Sequence, residues 1–205
     1  MSPAQAPARI EICGGIASGK TTLSNVLRNR GFEPVLEEYL RNPFLSAFYS
    51  NPQQYAFETE LTFLLQHYSQ VKNLQAGATY CCDFSFVQDD AYAAVNLVGR
   101  QQSTFGGVLE QVRTELAQPI LLVYLKCSPE CEYDRIIRRG REQENRVKLE
   151  YLSALNFAIE EKMRRMQDLN TITIDSESLD FASVPEIQGQ VCRLILSRTE
   201  RLIAM

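Results

Sequence analysis

The 205-residue sequence lacks several features that mark particular classes of protein. No apolar run is long enough to span a bilayer, so we expect no membrane partner. No pair of cysteines has the C-x-x-C spacing, which argues against a zinc or redox site. Positive charge is not in excess either: the net charge is −4, whereas nucleic-acid binding depends on a positive surface. The remaining composition, 45% hydrophobic and 22% charged, is typical of a globular protein.

The cysteines and the start of the chain favour an intracellular protein. Three of the six cysteines, Cys13, Cys81 and Cys82, lie in apolar runs, where a free thiol behaves as a small hydrophobic group. We therefore expect free thiols and a cytoplasmic location. Residues 1–8 are rich in Pro and Ala and lack the order of a secretion signal. They predict a disordered tail, followed by a single domain over residues 9–205.

The most informative motif is a glycine-rich loop between an apolar run and a helix-like segment. It fits the phosphate-binding pattern G-x-x-x-x-G-K-[ST]. The loop and the residue after it are Gly14, Gly15, Ile16, Ala17, Ser18, Gly19, Lys20, Thr21 and Thr22. In such a loop, backbone N–H groups and the start of the next helix face phosphate oxygens. Lys20 would reach the β- and γ-phosphates, and the Thr21 hydroxyl would help to hold Mg²⁺. The motif predicts a nucleoside triphosphate site, with an ordinary glycine turn as the alternative.

Apolar runs alternate with helical segments along the chain. Besides the run at 10–13, strands are predicted at 31–37, 79–83, 120–126 and 171–175. Helices are predicted at 22–30, 52–75, 104–117, 129–139, 148–169 and 185–201. This alternation predicts an α/β fold of the P-loop NTPase type, with a parallel five-stranded sheet between helical layers.

Acidic residues close two of the predicted strands: Glu37 and Glu38 close the second, and Asp83 closes the third. Ligands of parallel sheets bind beyond the carboxyl ends of the strands, so these carboxylates should face the triphosphate. Glu37 is a candidate general base or metal ligand, with a solvated loop charge as the alternative. Asp83 is a candidate Mg²⁺ carboxylate. Its alternative or additional role is to cap the helix that follows.

A basic cluster lies near the end of one predicted helix. Arg135, Arg138 and Arg139 are three and four residues apart, so they should share a helix face. Gly140 indicates a hinge or a helix end, and Arg141 follows it. Arginines closing over the phosphate loop as a lid would neutralise charge on a transferring phosphoryl group. The alternative is a solvated basic face paired with the acidic residues around it.

Three segments outside the phosphate loop carry a family resemblance. Residues 42–57 read NPFLSAFYSNPQQYAF, residues 124–155 contain RIIRRGREQE and LEYL, and residues 179–186 contain LDF and PE. With the loop, and in this order, they resemble the deoxynucleoside kinases, especially the bacterial deoxyadenosine and deoxyguanosine kinases, from residue 10 to about residue 196. The three segments look like the family's substrate-side helix, lid and donor-adenine loop. The resemblance implies ATP and Mg²⁺ as cofactors, a deoxynucleoside substrate and a homodimer packed through long helices.

The resemblance also implies roles for individual residues. Glu37 takes the place of the acid that removes the proton from the nucleoside 5′-hydroxyl. Glu38 stands where the family usually has Pro, which leaves open which glutamate acts. Tyr49 and Glu144 match the pair that holds the sugar 3′-hydroxyl, and Asp83 matches the acid of a Glu/Asp-Arg-Ser motif. The other matching positions are Arg135, Arg139 and Arg141 in the lid, Asp180 and Phe181 in the donor loop, and Phe57 and Asp89 on the substrate side.

Three positions depart from the family's pattern. Phe84 replaces the Arg of the Glu/Asp-Arg-Ser motif, so one cation beside Glu37 is missing. The base-reading Gln falls at Glu60, and a neighbouring Arg falls at His67, the only histidine. Because an ionised Glu only accepts hydrogen bonds, Glu60 would favour a donor-rich base edge such as that of guanine. Alternatively, Glu60 and His67 have rearranged together, or His67 is an ordinary partly buried helix residue.

The sequence therefore predicts an enzyme that transfers phosphate from ATP to the 5′-hydroxyl of a deoxynucleoside in nucleotide salvage. A nucleoside monophosphate kinase of the thymidylate kinase type would share the sheet and loop. It would need a basic contact near Asp83, where Phe84 stands instead. A kinase-like protein that has lost catalysis and serves in binding or assembly would explain the three departures. It would not need Lys20, Glu37 and the lid arginines together.

Overall fold

The computed structural model describes residues 7–166 and 168–204. Five parallel strands form one sheet in the order β2-β3-β1-β4-β5, which confirms the predicted fold class. The strands are β1 (Ala8–Gly14), β2 (Phe32–Val35), β3 (Thr79–Cys82), β4 (Leu121–Lys126) and β5 (Thr171–Asp175). Within the described ranges, no helix has the combination of length and apolar character that crossing a membrane requires.

Eight α-helices connect or flank these strands over the described residues. They are α1 (Lys20–Arg28), α2 (Leu45–Ser50), α3 (Pro52–Lys72), α4 (Phe86–Asn96), α5 (Gly99–Glu115), α6 (Pro129–Arg139), α7 (Leu149–Arg165) and α8 (Pro185–Ile203). Periodicity alone gave no bounds for α2 or α4: α2 lies inside the segment 42–57 that resembles the family's substrate-side helix, and α4 is the helix expected after Asp83. Helix α2 has only six residues, and α4 is buried on several sides, so neither shows one clean apolar stripe.

Several boundaries differ from the predictions. Residues 1–6 of the predicted tail lie outside the described residues, and Ala8 already begins β1. Strand β2 ends at Val35, so Glu37 lies in the loop beyond it. The predicted helix 148–169 ends at Arg165, and position 167 of that prediction is not described.

The sheet lies between two layers of helices. On one face, α1 and α8 pack against apolar side chains of β1, β4 and β5, such as Leu23 against the Ile10 and Ile12 cluster. On the other face, α4 and α7 pack against Cys13, Leu122 and Tyr124 of β1 and β4. Residues 121–125 are all buried, as expected for a strand covered on both faces. Helices α3 and α5 add a second core against α4.

This topology positions a cleft at one edge of the sheet. The chain runs from β1 outward to β2 and β3 on one side, then returns to β4 and β5 on the other. Loops from both halves therefore diverge at the carboxyl end of β1, and such a switch point leaves a crevice for a ligand. The glycine-rich loop leaves β1 at this crevice.

Candidate active site

The glycine-rich loop joins β1 directly to α1. Helix α1 begins at Lys20, two residues earlier than predicted, so its N-terminal N–H groups open onto the loop. Gly19 has φ of 105°, and an added Cβ would lie 3.2 Å from the Phe181 ring. A Cβ on Gly15 would overlap the side chains of Glu132 and Asn156. Both glycines are therefore required, one by its backbone conformation and one by close packing.

A cleft of about 670 Å³ lies above the loop, within the range of small-molecule sites. Most of the predicted site residues line it. They are Ile16, Ala17, Gly19, Lys20, Thr21, Thr22, Glu37, Tyr49, Glu60, His67, Asp83, Asp89, Arg135, Arg139, Arg141, Glu144, Asp180 and Phe181. One cleft thus brings together the loop, the strand-end carboxylates, the lid and the substrate side.

A few predicted residues lie beside the cleft rather than in its wall. Gly14 and Gly15 accept hydrogen bonds from the Lys20 ammonium through their carbonyls, at 2.9 and 2.8 Å. Ser18 is fully buried within the loop. Phe57 packs against the second core and Phe84 is fully buried, so neither lines the cleft.

Asp83 connects the loop to the end of β2. One of its carboxylate oxygens accepts a hydrogen bond from the Thr21 hydroxyl at 2.6 Å. The other accepts from the backbone N–H of Glu37, also at 2.6 Å. The helix-cap role suggested for Asp83 is wrong, because the Ser85 hydroxyl accepts from the Gln88 N–H at the start of α4. Both Asp83 oxygens are therefore used at the cleft, one beside Thr21 and one to hold the Glu37 backbone.

The two adjacent glutamates have different surroundings. Glu37 lines the cleft, and burial raises the pKa of its carboxyl, while the positive charges of His67 and Lys20 oppose that shift. Glu38 instead pairs with Arg41 at 2.8 Å in an exposed turn. A raised pKa is suited to a carboxylate that takes up a proton during a reaction.

His67 forms the centre of a buried polar cluster. Its Nδ1 lies 3.0 and 3.1 Å from the two carboxylate oxygens of Asp89, and its ring stacks on Phe84 at 3.9 Å. Burial is the largest single effect and disfavours the imidazolium, but the charge and the hydrogen bond of Asp89 oppose it, and the balance raises the pKa of His67. Further raising contributions come from Glu37 and Asp83. The raised pKa favours the charged form of His67, and at 1% exposed it is not the ordinary partly buried helix residue considered as an alternative.

Glu60 is 4% exposed and belongs to a hydrogen-bonded group that reaches α7. The Asn96 amide donates to Glu60 Oε1 at 2.7 Å and to the Tyr151 hydroxyl at 2.9 Å. Burial raises the pKa of Glu60 to about 8, although the Asn96 hydrogen bond opposes it. At neutral pH the carboxyl is therefore mainly protonated and can donate as well as accept. The premise that Glu60 is ionised does not hold, so a preference for guanine no longer follows from its charge.

The lid arginines take different positions. Arg135 donates to the Ser176 carbonyl at 2.6 Å and to the loop carbonyls of Ala17 and Ser18 at 3.3 Å. Arg139 makes a forked contact with the Glu144 carboxylate, with N–O distances of 2.6 to 2.8 Å. These two arginines lie one turn apart on α6, and both line the cleft.

Of the other two arginines in the basic cluster, one lines the cleft and one does not. Arg141 lies 4.3 Å from the Tyr39 ring and 3.5 Å from Glu144, and it also lines the cleft. Arg138 lies on the same helix, but it donates to the Asp134 carbonyl of that helix and does not line the cleft. Gly140 ends α6 with φ of 62°, as its predicted role as a helix end requires.

Sequence reasoning missed a buried acidic residue behind the loop. Glu132 is fully buried against Gly15, and its carboxylate accepts from the Asn156 amide at 3.2 Å. Burial raises the pKa of Glu132 to about 8, against the lowering effects of Lys20 and Asn156. In the sequence, Glu132 was considered only as an acidic partner of the neighbouring arginines in a solvated basic face. Tyr151, Phe63 and Gln88 also line the cleft and were not predicted.

The fold and the cleft define a P-loop nucleotide-binding protein. The family model described as deoxynucleoside kinase matches residues 10–198. The chain belongs to the deoxynucleoside kinase family and is a kinase enzyme.

Curated relatives and solved structures agree with this family. The chain is 29% identical over 182 residues to a deoxyguanosine kinase of Bacillus subtilis, covering 84% of this chain and 88% of the relative. It is 26% identical to a deoxyadenosine/deoxycytidine kinase of the same organism, covering 91% and 92%. The fold matches a deoxyadenosine kinase from M. mycoides solved with dCMP and dCDP, with a TM-score of 0.77 at 24% identity, covering 95% and 99%.

Proposed function

We propose that this kinase transfers the γ-phosphoryl group of ATP to the 5′-hydroxyl of a deoxynucleoside, giving the 5′-monophosphate. The observation that carries the proposal is the single cleft shared by the phosphate loop, Glu37 and the arginine lid. A donor phosphate in the loop and an acceptor hydroxyl at Glu37 would meet in that cleft. The names of the curated relatives support a deoxynucleoside as the acceptor.

The loop and α1 would hold the triphosphate. Backbone N–H groups at the start of α1 face anionic oxygens, and Lys20 would exchange its two loop carbonyls for the β- and γ-phosphates. Asp180 and Phe181 lie at the same end of the cleft, where the donor adenine would bind. These contacts bind and orient the donor for in-line transfer.

Thr21 and Asp83 fit a magnesium site. Their hydroxyl and carboxylate oxygens lie 2.6 Å apart, and oxygen ligands of this kind are the ones that Mg²⁺ prefers. When bound, Mg²⁺ would neutralise charge on the β- and γ-phosphates. Asp83 would keep its second oxygen on the Glu37 backbone, which positions that residue independently of the metal.

Glu37 is the proposed general base. Asp83 holds its backbone, and burial raises its pKa, which increases its affinity for the 5′-hydroxyl proton. The positive charges of His67 and Lys20 oppose this rise and so favour the carboxylate form of Glu37. Phe84 stands in place of the motif arginine and carries no charge. We propose that His67 supplies the positive charge beside Glu37 instead.

The lid arginines would stabilise the charge that develops during transfer. Arg135 already donates to the loop, while Arg139 and Arg141 are held by Glu144. Fixed donors aimed at developing charge are among the largest contributions to catalysis. Three arginines share this task, so the loss of one should slow the enzyme rather than abolish its activity.

The substrate side would bind the sugar and the base. Tyr49 and Glu144 both line the cleft and are placed to hold the 3′-hydroxyl, with Glu144 shared between the sugar and Arg139. Glu60 and the His67–Asp89 pair line the base end. Protonated Glu60 can replace an amide there, because it both donates and accepts.

We also propose a cytoplasmic homodimer. The six cysteines are all free in the structure, in keeping with a reducing compartment. Exposed Leu65 on α3 and Phe157 on α7 offer apolar surface on long helices for an interface. Sedimentation velocity tests the dimer, and cell fractionation tests the location. A monomer at micromolar concentration, or recovery outside the cytoplasm, contradicts the respective proposal.

The acceptor assay tests the function directly. ATP labelled at the γ-phosphate is offered with each of the four deoxynucleosides and, in parallel, with their monophosphates, and Lys20→Ala serves as the blank. Labelled deoxynucleoside 5′-monophosphate that is lost in the blank supports the proposal. Label only on monophosphate acceptors shows a monophosphate kinase instead. ATP binding without any transfer shows a protein that binds but does not catalyse.

A further inference from the structure

Two cysteines and a glutamate converge beside the lid, outside the cleft. Cys127 follows β4, Cys131 lies in the first turn of α6, and Glu177 follows β5. Their two sulfur atoms and one carboxylate oxygen all lie within 4.8 Å of one another. They meet because β4 and β5 are paired neighbours with Lys126 opposite Asp175, so the residues just after both strands lie side by side.

Local hydrogen bonds hold this cluster in place. Ser128 caps α6 by accepting from the Cys131 N–H at 3.2 Å, which fixes Cys131 one turn from Cys127. The Ser128 N–H donates to Glu177 Oε2 at 3.0 Å, which orients that carboxylate and leaves Oε1 free of this contact. Asp175 accepts from the Glu177 N–H at 3.0 Å, so the Glu177 backbone is also fixed.

We propose that Cys127, Cys131 and Glu177 form a binding site for one soft divalent cation of the zinc type, with water as the fourth ligand. Ligands at about 2.3 Å from a tetrahedral metal lie roughly 3.5–3.8 Å from one another. The observed upper limit of 4.8 Å is therefore about 1 Å wider than a loaded site. Side-chain rotation of Cys131, which is partly exposed, and of exposed Glu177 can close that difference.

The ligand set selects the metal. Two thiolates prefer Zn²⁺ or Cd²⁺ over Mg²⁺, which favours oxygen ligands only. Binding replaces two thiol protons, which pass to the buffer, by two metal–sulfur bonds. Two thiolates and one carboxylate then carry three negative charges against two on the metal. The Arg135 guanidinium, 3.5 Å from the Cys127 sulfur, offsets the remaining charge.

The position of the site suggests an effect on catalysis, and this step rests on the proposed function. Arg135 is held by the Ser176 carbonyl and lies beside Cys127, so it contacts both sides of the cluster. A metal ion that takes the Cys127 sulfur as a ligand would draw that sulfur towards Glu177 and so shift the Arg135 guanidinium, which contacts it at 3.5 Å. We expect Zn²⁺ to slow phosphoryl transfer in the parent protein and to leave the rate of Cys131→Ser unchanged.

Metal titration tests the site without any need for activity. Fully reduced protein, freed of reductant under anaerobic conditions, is titrated with Cd²⁺ while the thiolate-to-metal charge-transfer absorption is recorded. Zn²⁺ is then added to compete for the same site. Variants Cys131→Ser, Cys127→Ser and Glu177→Gln remove one ligand each. Glu130→Gln is the matched control, since this exposed acidic residue lies on α6 beside the cluster.

The expected result is absorption that saturates at one Cd²⁺ per chain and is displaced by Zn²⁺. Each ligand variant should bind at least about 100-fold more weakly, and Glu130→Gln should bind like the parent. Equal thermal unfolding of Cys131→Ser and the parent without metal shows that the variant is folded. Binding that survives loss of Cys131, or no saturable absorption at micromolar Cd²⁺, overturns the site. Either result leaves the acceptor assay, and hence the proposed function, untouched.

Discussion

The phosphate end and the base end of the cleft are built in different ways. At the phosphate end, Lys20 and Thr21 follow the glycine loop directly, and one long-range contact to Asp83 completes the arrangement. At the base end, the polar contacts join separate helices: Glu60 reaches Asn96, and His67 reaches Asp89. Local chain geometry thus defines the donor site, whereas tertiary packing defines the acceptor site. Substitutions at the two ends should therefore have different consequences.

The largest effect on catalysis is expected at Glu37, which lies between the phosphate end and the base end of the cleft. Glu37→Gln cannot accept a proton, so kcat should fall about 10²- to 10⁴-fold with little change in the KM for ATP. The matched control is Glu38→Gln, because Glu38 pairs with Arg41 in an exposed turn. Steady-state kinetics on both variants measure the effect. A large loss in Glu38→Gln with an active Glu37→Gln would assign the base to the other glutamate.

The lid should show the next largest effect. Arg139→Ala removes one charged donor from the cleft, and kcat should fall about 10²-fold. Arg138→Ala provides the control, since Arg138 lies on the same helix but does not line the cleft. Its kcat should stay within about twofold of the parent. Equal losses in both variants would mean that the net charge of the lid, rather than the position of Arg139, is what matters.

A substitution of His67 at the base end should mainly lower the free energy of unfolding of the protein. His67→Leu leaves Asp89 buried without its partner, which should cost about 3–5 kcal/mol of unfolding free energy. Adding Asp89→Asn should recover part of that loss. Because folding raises the pKa of His67 above 6.5, its contribution is fully present below pH 6.5 and is lost as pH rises through the folded pKa.

Denaturant unfolding over a pH series measures this contribution. The stability difference between the parent and His67→Leu should shrink as pH rises above 6.5. A difference that grows with pH would mean that His67 is neutral in the folded protein. A negligible loss in His67→Leu at pH 6 would mean that Asp89 does not depend on this partner.

The smallest effect is expected at Glu60. Its pKa of about 8 keeps it mainly protonated at pH 7, so Glu60→Gln should behave almost like the parent there. At pH 9 the parent loses the donor, and its ratio of kcat/KM for deoxyguanosine over deoxyadenosine should change roughly twofold to tenfold. The variant's ratio should stay constant, while Glu58→Gln, exposed on the same helix, should follow the parent. A constant ratio in the parent would contradict a base contact through Glu60.

The contrast between the two ends also explains what the sequence could predict. The loop, all five strands and the strand-end carboxylates were predictable, because periodicity and strand-end positions are local features. The residues of the substrate side and the donor loop were predictable only through the family resemblance. The Glu60–Asn96–Tyr151 group and Glu132 behind Gly15 were not, since they depend on how α3, α4, α6 and α7 pack. Burial also reversed the inference that Glu60 is ionised. It raises the pKa of Glu60 to about 8, and no sequence pattern indicates this change.

The position of the new phosphate tests the central account most directly. A deoxynucleoside accepted in the panel assay is compared with the same compound lacking its 5′-hydroxyl, using γ-labelled ATP and identification of the product by chromatography. The account predicts labelled 5′-monophosphate from the first compound and none from the second, because Glu37 and the loop line the same cleft and would meet at that hydroxyl. Label on the 3′-oxygen, or equal transfer to both compounds, would contradict it.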